Sequence, residues 1–158
     1  PLPAMPEKIA LITSGAGAAV QDMIRILGRR WPLTKILVMP VRVQGTEAPA
    51  EIAGAIRYAN RWNVADLIIT GEGRLDGQTV MGKAPIGVAK LSKEYGKPVL
   101  AFSGCVTKDA STCNAAGIDA FFPIMRSVVS LEEAMDVKNA AENMTDTVEQ
   151  AFRLFLLQ

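Results

Sequence analysis

Short apolar runs alternate with amphipathic segments along most of this 158-residue chain. A brief apolar, β-branched run bounded by polar or glycine-rich residues is typical of a strand buried on both faces. Such runs predict strands over residues 8–14, 35–43, 67–70, 97–103 and 119–124. Between them, apolar residues recur at helical spacing. They predict helices over 20–31, 51–62, 85–95, 109–116 and 130–157, with a break in the last one near 137–139.

Strands that alternate with helices predict an α/β fold with a parallel sheet covered on both faces. Right-handed crossovers restrict the strand order. We expect five parallel strands in the order 2-1-3-4-5, which is a flavodoxin-like or Rossmann-like three-layer sandwich. Residues 1–158 would then form a single α/β domain in which residues 1–7 are a tail.

Two glycine-containing loops follow the first and third predicted strands. In the order 2-1-3-4-5 the topological switch lies between these strands, so the loops would face each other across one crevice. Backbone amides at the start of the first helix would suit an anion there. The predicted anion- or substrate-binding residues are Ser14, Gly15, Gly17, Gly71, Glu72, Gly73, Arg74, Gln78 and Thr79. An ordinary connecting loop with exposed charges remains the alternative, because neither loop matches a dinucleotide or phosphate-loop motif.

Composition narrows the classes of partner. Apolar residues make up 49% and charged residues 21% of the chain, and its net charge is +1. Nucleic acid is therefore an unlikely partner, and no apolar run reaches membrane-spanning length. The chain has no histidine, so no metal site is predicted. Cys105 and Cys113 are interpreted as reduced thiols of a cytoplasmic protein.

Residues 8 to about 70 resemble the large subunit of exodeoxyribonuclease VII. The matching pieces are IALITSGAGAAVQDMIRILGRRWP, ILVMPVRVQGTEAPAEIAGAIRYANRWN and ADLIITG. The resemblance makes Asp22 a candidate catalytic residue. However, Glu72 stands where that family has arginine, and the family's histidine-containing segment has no counterpart in a chain without histidine.

Residues from about 65 to 158 resemble the carboxyl-terminal part of bacterial glycerate kinases. The matching pieces are ADLIITGEGRLDGQTVMGKAPIGVAKLSKEYGKPVLAFSG, AGIDAFFPI and SLEEAM. The resemblance implies substrate or phosphate contacts within the loop 72–83, with Asp76 and Lys83 as candidate catalytic residues. It also implies ATP and magnesium as cofactors if the activity is present. The amino-terminal segment and inserted second domain of that family find no match here.

The two resemblances meet at the third strand, ADLIITG, and predict a chimera joined near residues 66–71. A parallel strand buried on both faces needs only apolar, β-branched residues, so either parent's strand would fit. We expect an engineered domain with no complete native activity and with residual binding of phosphate or a small anion. The alternatives are a truncated or divergent glycerate kinase and, less favoured, a nuclease fragment. No partner is required, although exposed apolar surface could support a homodimer.

Overall fold

The computed structural model describes residues 7–15, 18–30 and 32–154, and it describes only the backbone of residues 18, 19, 22 and 30. The strands are β1 (Lys8–Thr13), β2 (Lys35–Pro40), β3 (Ile68–Leu75), β4 (Val99–Val106) and β5 (Ala120–Pro123). The helices are α1 (Ala18–Arg30), α2 (Ala48–Arg61), α3 (Ala84–Lys93), α4 (Thr112–Ala115), α5 (Leu131–Met135) and α6 (Val137–Arg153). Two 3₁₀ turns lie at Thr79–Met81 and Lys108–Ser111.

The predicted break in the last helix is confirmed, and local capping explains it. The Ser130 side chain accepts a hydrogen bond from the Glu133 amide, while the Glu133 carboxylate accepts from the Ser130 amide, so a capping box starts α5. Asp136 then ends α5 in an extended conformation, and its carboxylate caps the Asn139 amide of α6 at 2.9 Å. A second cap thus forces a new helix start. The predicted end at residue 157 lies outside the described residues.

The strands are parallel, as the alternating pattern predicted, but the described residues do not form the single five-stranded sheet. Among the described residues, β1 pairs with β2 in one sheet, and β3, β4 and β5 form a second sheet in that order. No pairing joins β1 to β3 within the described ranges. Beyond Thr70, β3 alternates glycine with Glu72 and Arg74, so this half of it offers little apolar surface to another strand. Ile69, in the first half of β3, is 53% exposed.

Both β3 and β4 run further than predicted, through their glycines. Gly71 pairs with Phe102 of the predicted fourth strand, and Arg74 pairs with Cys105. The sequence had predicted loops at Gly71, Arg74 and Cys105. A β-carbon on Gly71 would lie 2.2 Å from the Phe102 carbonyl oxygen, and one on Gly104 would lie 2.5 Å from the Gly73 carbonyl oxygen. These glycines therefore permit close approach of two strands rather than a turn.

β4 is the centre of the core. Its successive side chains point to opposite faces of the sheet. On one face, Val99 and Ala101 pack in a cluster with Leu75 of β3 and with buried residues that include Ile86 of α3 and Cys113 of α4. On the other, Leu100 and Phe102 pack with Ala151 of α6. Helices thus cover both faces of β3–β4–β5, which confirms the three-layer arrangement for this part of the chain. No helix in the described part of the chain is long and apolar enough to cross a membrane.

Asp119 ties the carboxyl end of α3 to the start of β4. Its carboxylate accepts hydrogen bonds from Lys93 Nζ at 2.6 and 2.7 Å and from the Val99 amide at 2.7 Å. Burial opposes its charge, but the Lys93 and Val99 hydrogen bonds prevail and lower the pKa of Asp119 below its ordinary 3.8. Since the pKa is lower in the folded state, the carboxylate stabilises the fold above pH 3.8 and loses this effect as pH falls toward the folded pKa.

We therefore expect Asp119→Asn to lower the free energy of unfolding at neutral pH by about 1 kcal/mol, a value reduced by solvent screening of a half-exposed pair. The variant should also lose less stability than the parent protein when pH falls below 3.8. Urea denaturation across a pH series measures both effects. If the free energy of unfolding is the same for the two proteins at every pH, the Asp119 carboxylate does not stabilise the fold.

Candidate active site

The candidate site forms where β3 ends. Asp76 follows the last residue of β3, and the first 3₁₀ turn and α3 follow directly after it. Asp76 Oδ1 accepts hydrogen bonds from the amides of Gln78 and Thr79, each at 3.1 Å. An aspartate that bonds to amides two and three residues ahead favours this kind of turn. The carboxyl end of a parallel strand is also where α/β proteins place their ligands.

The Thr79 side chain is fully buried and links the two carboxylates of the site. Its hydroxyl oxygen accepts from the Asp76 amide at 3.1 Å. The same oxygen lies 3.0 Å from Glu72 Oε1 and 3.1 Å from Asp76 Oδ1. A hydroxyl carries one proton, so Thr79 donates to one carboxylate at a time. The Glu72 and Asp76 carboxylates therefore both lie next to the Thr79 hydroxyl group.

Lys83, immediately before α3, completes the group. Its Nζ lies 3.2 Å from Asp76 Oδ1 and 3.6 Å from Glu72 Oε1. We call Glu72, Asp76, Thr79 and Lys83 the acid–lysine cluster. The Asp76 hydrogen bond is the main cause that raises the pKa of Lys83. Burial works against ionisation of Asp76, yet the hydrogen bonds from Lys83 and Thr79 lower its pKa. Both groups are therefore charged at neutral pH.

Arg74 and Gln78 border this cluster with exposed side chains. Arg74 Nε lies 3.7 Å from Asp76 Oδ2, which is a loose ion pair. Gln78 contributes its backbone amide to Asp76. Gly71 and Gly73, also predicted as binding residues, lie inside β3 instead of a loop.

The amino-terminal half of the predicted crevice does not join the acid–lysine cluster. Within the described residues, no hydrogen bond or ion pair links Ser14 or Gly15 to it. Gly15 lies against Pro40 at the end of β2, with a β-carbon position 3.0 Å from Pro40 Cβ. The reason is the missing pairing between β1 and β3, which the predicted switch crevice required. Gly17 and the side chain of Asp22 lie outside the described residues.

Two residues at the end of β4 were missed by the sequence reasoning. Thr107 donates a short hydrogen bond to Asp109, and its own amide bonds to the Leu75 carbonyl oxygen at 3.0 Å. The Thr107 hydrogen bond is the main cause that lowers the pKa of Asp109. The polar residues that follow β4 could have indicated this, because the carboxyl ends of neighbouring parallel strands lie at the same edge of the sheet.

Hydrogen bonds within the acid–lysine cluster already occupy its carboxylates, while its lysine remains partly exposed. No group of three potential His, Cys, Asp or Glu ligands is found in the described ranges. Asp76 Oδ1 already accepts three hydrogen bonds, from the amides of Gln78 and Thr79 and from Lys83 Nζ, and it shares the Thr79 hydroxyl proton with Glu72. Lys83 is partly exposed and can present its ammonium group to an anion.

The protein-family comparison covers most of the chain, including the acid–lysine cluster. The model of the glycerate kinase family matches residues 37–156. The chain belongs to the glycerate kinase family. The match begins well before the junction predicted near residues 66–71, so similarity to these kinases continues across it.

Individual relatives of this glycerate kinase family member are of two kinds. Glycerate kinase of Bacillus subtilis (strain 168) is 41% identical over 135 residues, which is 85% of this chain and 32% of that protein. The exodeoxyribonuclease 7 large subunit of Natranaerobius thermophilus is 54% identical over 72 residues, which is 46% of this chain and 17% of that protein. The chain thus spans about a third or less of these relatives. Partial matches to both families are consistent with a chimera of the two.

One solved structure is also similar. Glycerate kinase 2 from Salmonella typhimurium LT2 shares 34% identity over 68% of this chain and 24% of that chain, with a TM-score of 0.38. A superposition of that quality adds nothing to the fold described above.

Proposed function

We propose that this chain carries one wall of a glycerate kinase active site, at which phosphate passes from ATP to a hydroxyl group of glycerate. The observation that supports it is the acid–lysine cluster, formed from hydrogen-bonded side chains inside the region that matches the kinase family. Phosphoryl transfer depends on positioning and charge neutralisation more than on covalent chemistry. A preformed, charged cluster meets that need.

Lys83 would bind the anionic group of the substrate, either a phosphate oxygen or the glycerate carboxylate. Its raised pKa keeps it cationic throughout the physiological range. Asp76 would orient Lys83 rather than accept the proton of the substrate, because its lowered pKa makes it a weak base near neutrality. Magnesium would enter with the ATP phosphates, as is usual where few protein ligands are available.

A second candidate is a domain of mixed ancestry that binds phosphate or another small anion without turnover. The 54% identity to an exodeoxyribonuclease 7 large subunit over 72 residues favours it. The amino-terminal part of the chain would then come from a protein with no use for the acid–lysine cluster.

ADP release by the purified chain, measured with ATP, magnesium and glycerate, separates the two. Release that requires both ATP and glycerate supports the kinase. A melting temperature that rises with phosphate or glycerate concentration, without ADP release, supports the binding domain; at 100 times Kd the expected stabilisation is about 2.7 kcal/mol. If the chain shows no ADP release and no change in melting temperature, both candidate functions are contradicted.

A further inference from the structure

The turn that contains Asp76 is fixed by hydrogen bonds to residues just past the neighbouring strand, β4. Thr107, just past β4, bonds through its amide to the carbonyl oxygen of Leu75, the last residue of β3, at 3.0 Å. Its hydroxyl lies 3.3 Å from the same carbonyl oxygen and also bonds to Asp109. The hydroxyl has one proton and donates it to one acceptor at a time. Because the amide already fixes Thr107 to Leu75, the hydrogen bond to Asp109 places that carboxylate close to the end of β3.

Gly77 lies against this carboxylate. A β-carbon at Gly77 would stand 2.5 Å from Asp109 Oδ2 and 3.1 Å from Asp109 Cγ. The backbone of Gly77 does not have positive φ, so the Asp109 carboxylate is the group that a side chain at this position would have to displace. The Gly77 amide also helps to lower the pKa of Asp109, against the repulsion of the Asp76 charge. Gly77 sits between Asp76 and Gln78, at the middle of the turn.

We propose that Asp109 is a positioning residue: it holds the backbone at Gly77, and through it the turn from Asp76 to Thr79, in the geometry that presents Lys83 to substrate. Its kinetic consequence rests on the proposed kinase function; its structural consequence does not. Asp109 acts through Gly77 and needs no contact with substrate. A displacement of about 1 Å at a reacting group can cost about 100-fold in rate, so a residue of this kind affects turnover strongly.

The first test is structural and independent of activity. Amide NMR spectra of Asp109→Asn should show shifted resonances for Gly77, Gln78 and Thr79. Asp66→Asn, the same change at an exposed aspartate just before β3, should leave them in place. Gly77→Ala should lower the melting temperature in the parent protein but much less in an Asp109→Ala background, where the obstructing carboxylate is gone. Unshifted amides together with an equal Gly77→Ala penalty in both backgrounds would overturn the proposal.

The second test is kinetic. Asp109→Asn should reduce kcat by about 10-fold or more while KM for ATP changes little, because the turn is displaced without loss of a binding group. Thr107→Ser, which keeps the hydroxyl, should retain the parent kcat, and Thr107→Val should not. An unchanged kcat in Asp109→Asn would overturn the kinetic role. Absence of turnover in the parent protein would instead contradict the kinase function, and the amide shifts and the double variant would still decide the positioning role.

Discussion

Replacing Gly71 with alanine is expected to destabilise the β3–β4–β5 sheet strongly. The added β-carbon would meet the Phe102 carbonyl oxygen at 2.2 Å and the Phe102 carbonyl carbon at 3.3 Å. Both are backbone atoms of the buried central strand, so no rotation of a side chain can relieve the contact. Overpacking in a core commonly costs about 1–3 kcal/mol and occasionally more. We expect a loss of about 3 kcal/mol or more here, which is a large share of the stability of a typical domain.

Gly73→Ala is the matched control. Gly73 lies two residues further along the same strand, and its β-carbon position has no atom within 4 Å. This variant should keep the free energy of unfolding within about 1 kcal/mol of the parent value, since only the difference in backbone entropy between glycine and alanine remains. Urea denaturation followed by circular dichroism compares the two. Similar losses for both variants would show that the close approach at Gly71 is not what requires glycine.

These two glycines also show where sequence reasoning was limited. The pattern of apolar residues identified the start of β3, because Leu67 to Ile69 are a recognisable apolar run. It could not extend the strand through Gly71, Glu72, Gly73 and Arg74, since glycine and charge are typical of loops. The strand continues there because β4 pairs with it. Pairing between distant segments is a tertiary property that a local pattern does not contain.

The same reasoning explains the missing single sheet. Each of the five strands was predicted from its own residues, and the parallel direction followed from the intervening helices. The order 2-1-3-4-5 needed an additional contact between β1 and β3. Nothing in either strand's own pattern tests that contact, and the described residues pair only as β1–β2 and β3–β4–β5.

The sequence identified the residues of the acid–lysine cluster as candidates, because they all lie within twelve consecutive positions, 72–83. A strand end, a turn and a helix start bring such residues together with little help from the rest of the fold. Asp109 belongs to the next strand's loop, so its relation to Gly77 depends on β3 and β4 being neighbours. Once that pairing is known, polar residues beyond both strand ends can be expected to meet.

Lys83→Met is expected to have the largest effect on the candidate site. Lys83 now lowers the pKa of Asp76 through a hydrogen bond and through its charge. Without it, burial and the nearby Glu72 carboxylate both oppose ionisation, so the pKa of Asp76 should rise. Carbon-13 NMR titration of the Asp76 carboxyl group measures this directly. If the chain transfers phosphate, removal of the cation should also lower kcat by about 100-fold or more, as is typical when a preorganised electrostatic contact is lost.

Lys90→Met provides the matched control, because it is the same substitution at an exposed position of α3. It should leave both the Asp76 titration and the turnover as in the parent protein. The two readouts of Lys83→Met answer different questions. A raised pKa of Asp76 with unchanged turnover would mean that the acid–lysine cluster stabilises the turn but does not handle substrate. An unchanged Asp76 titration would mean that the 3.2 Å contact between Lys83 and Asp76 does not persist in solution, and the cluster would then lose its role as a preformed site.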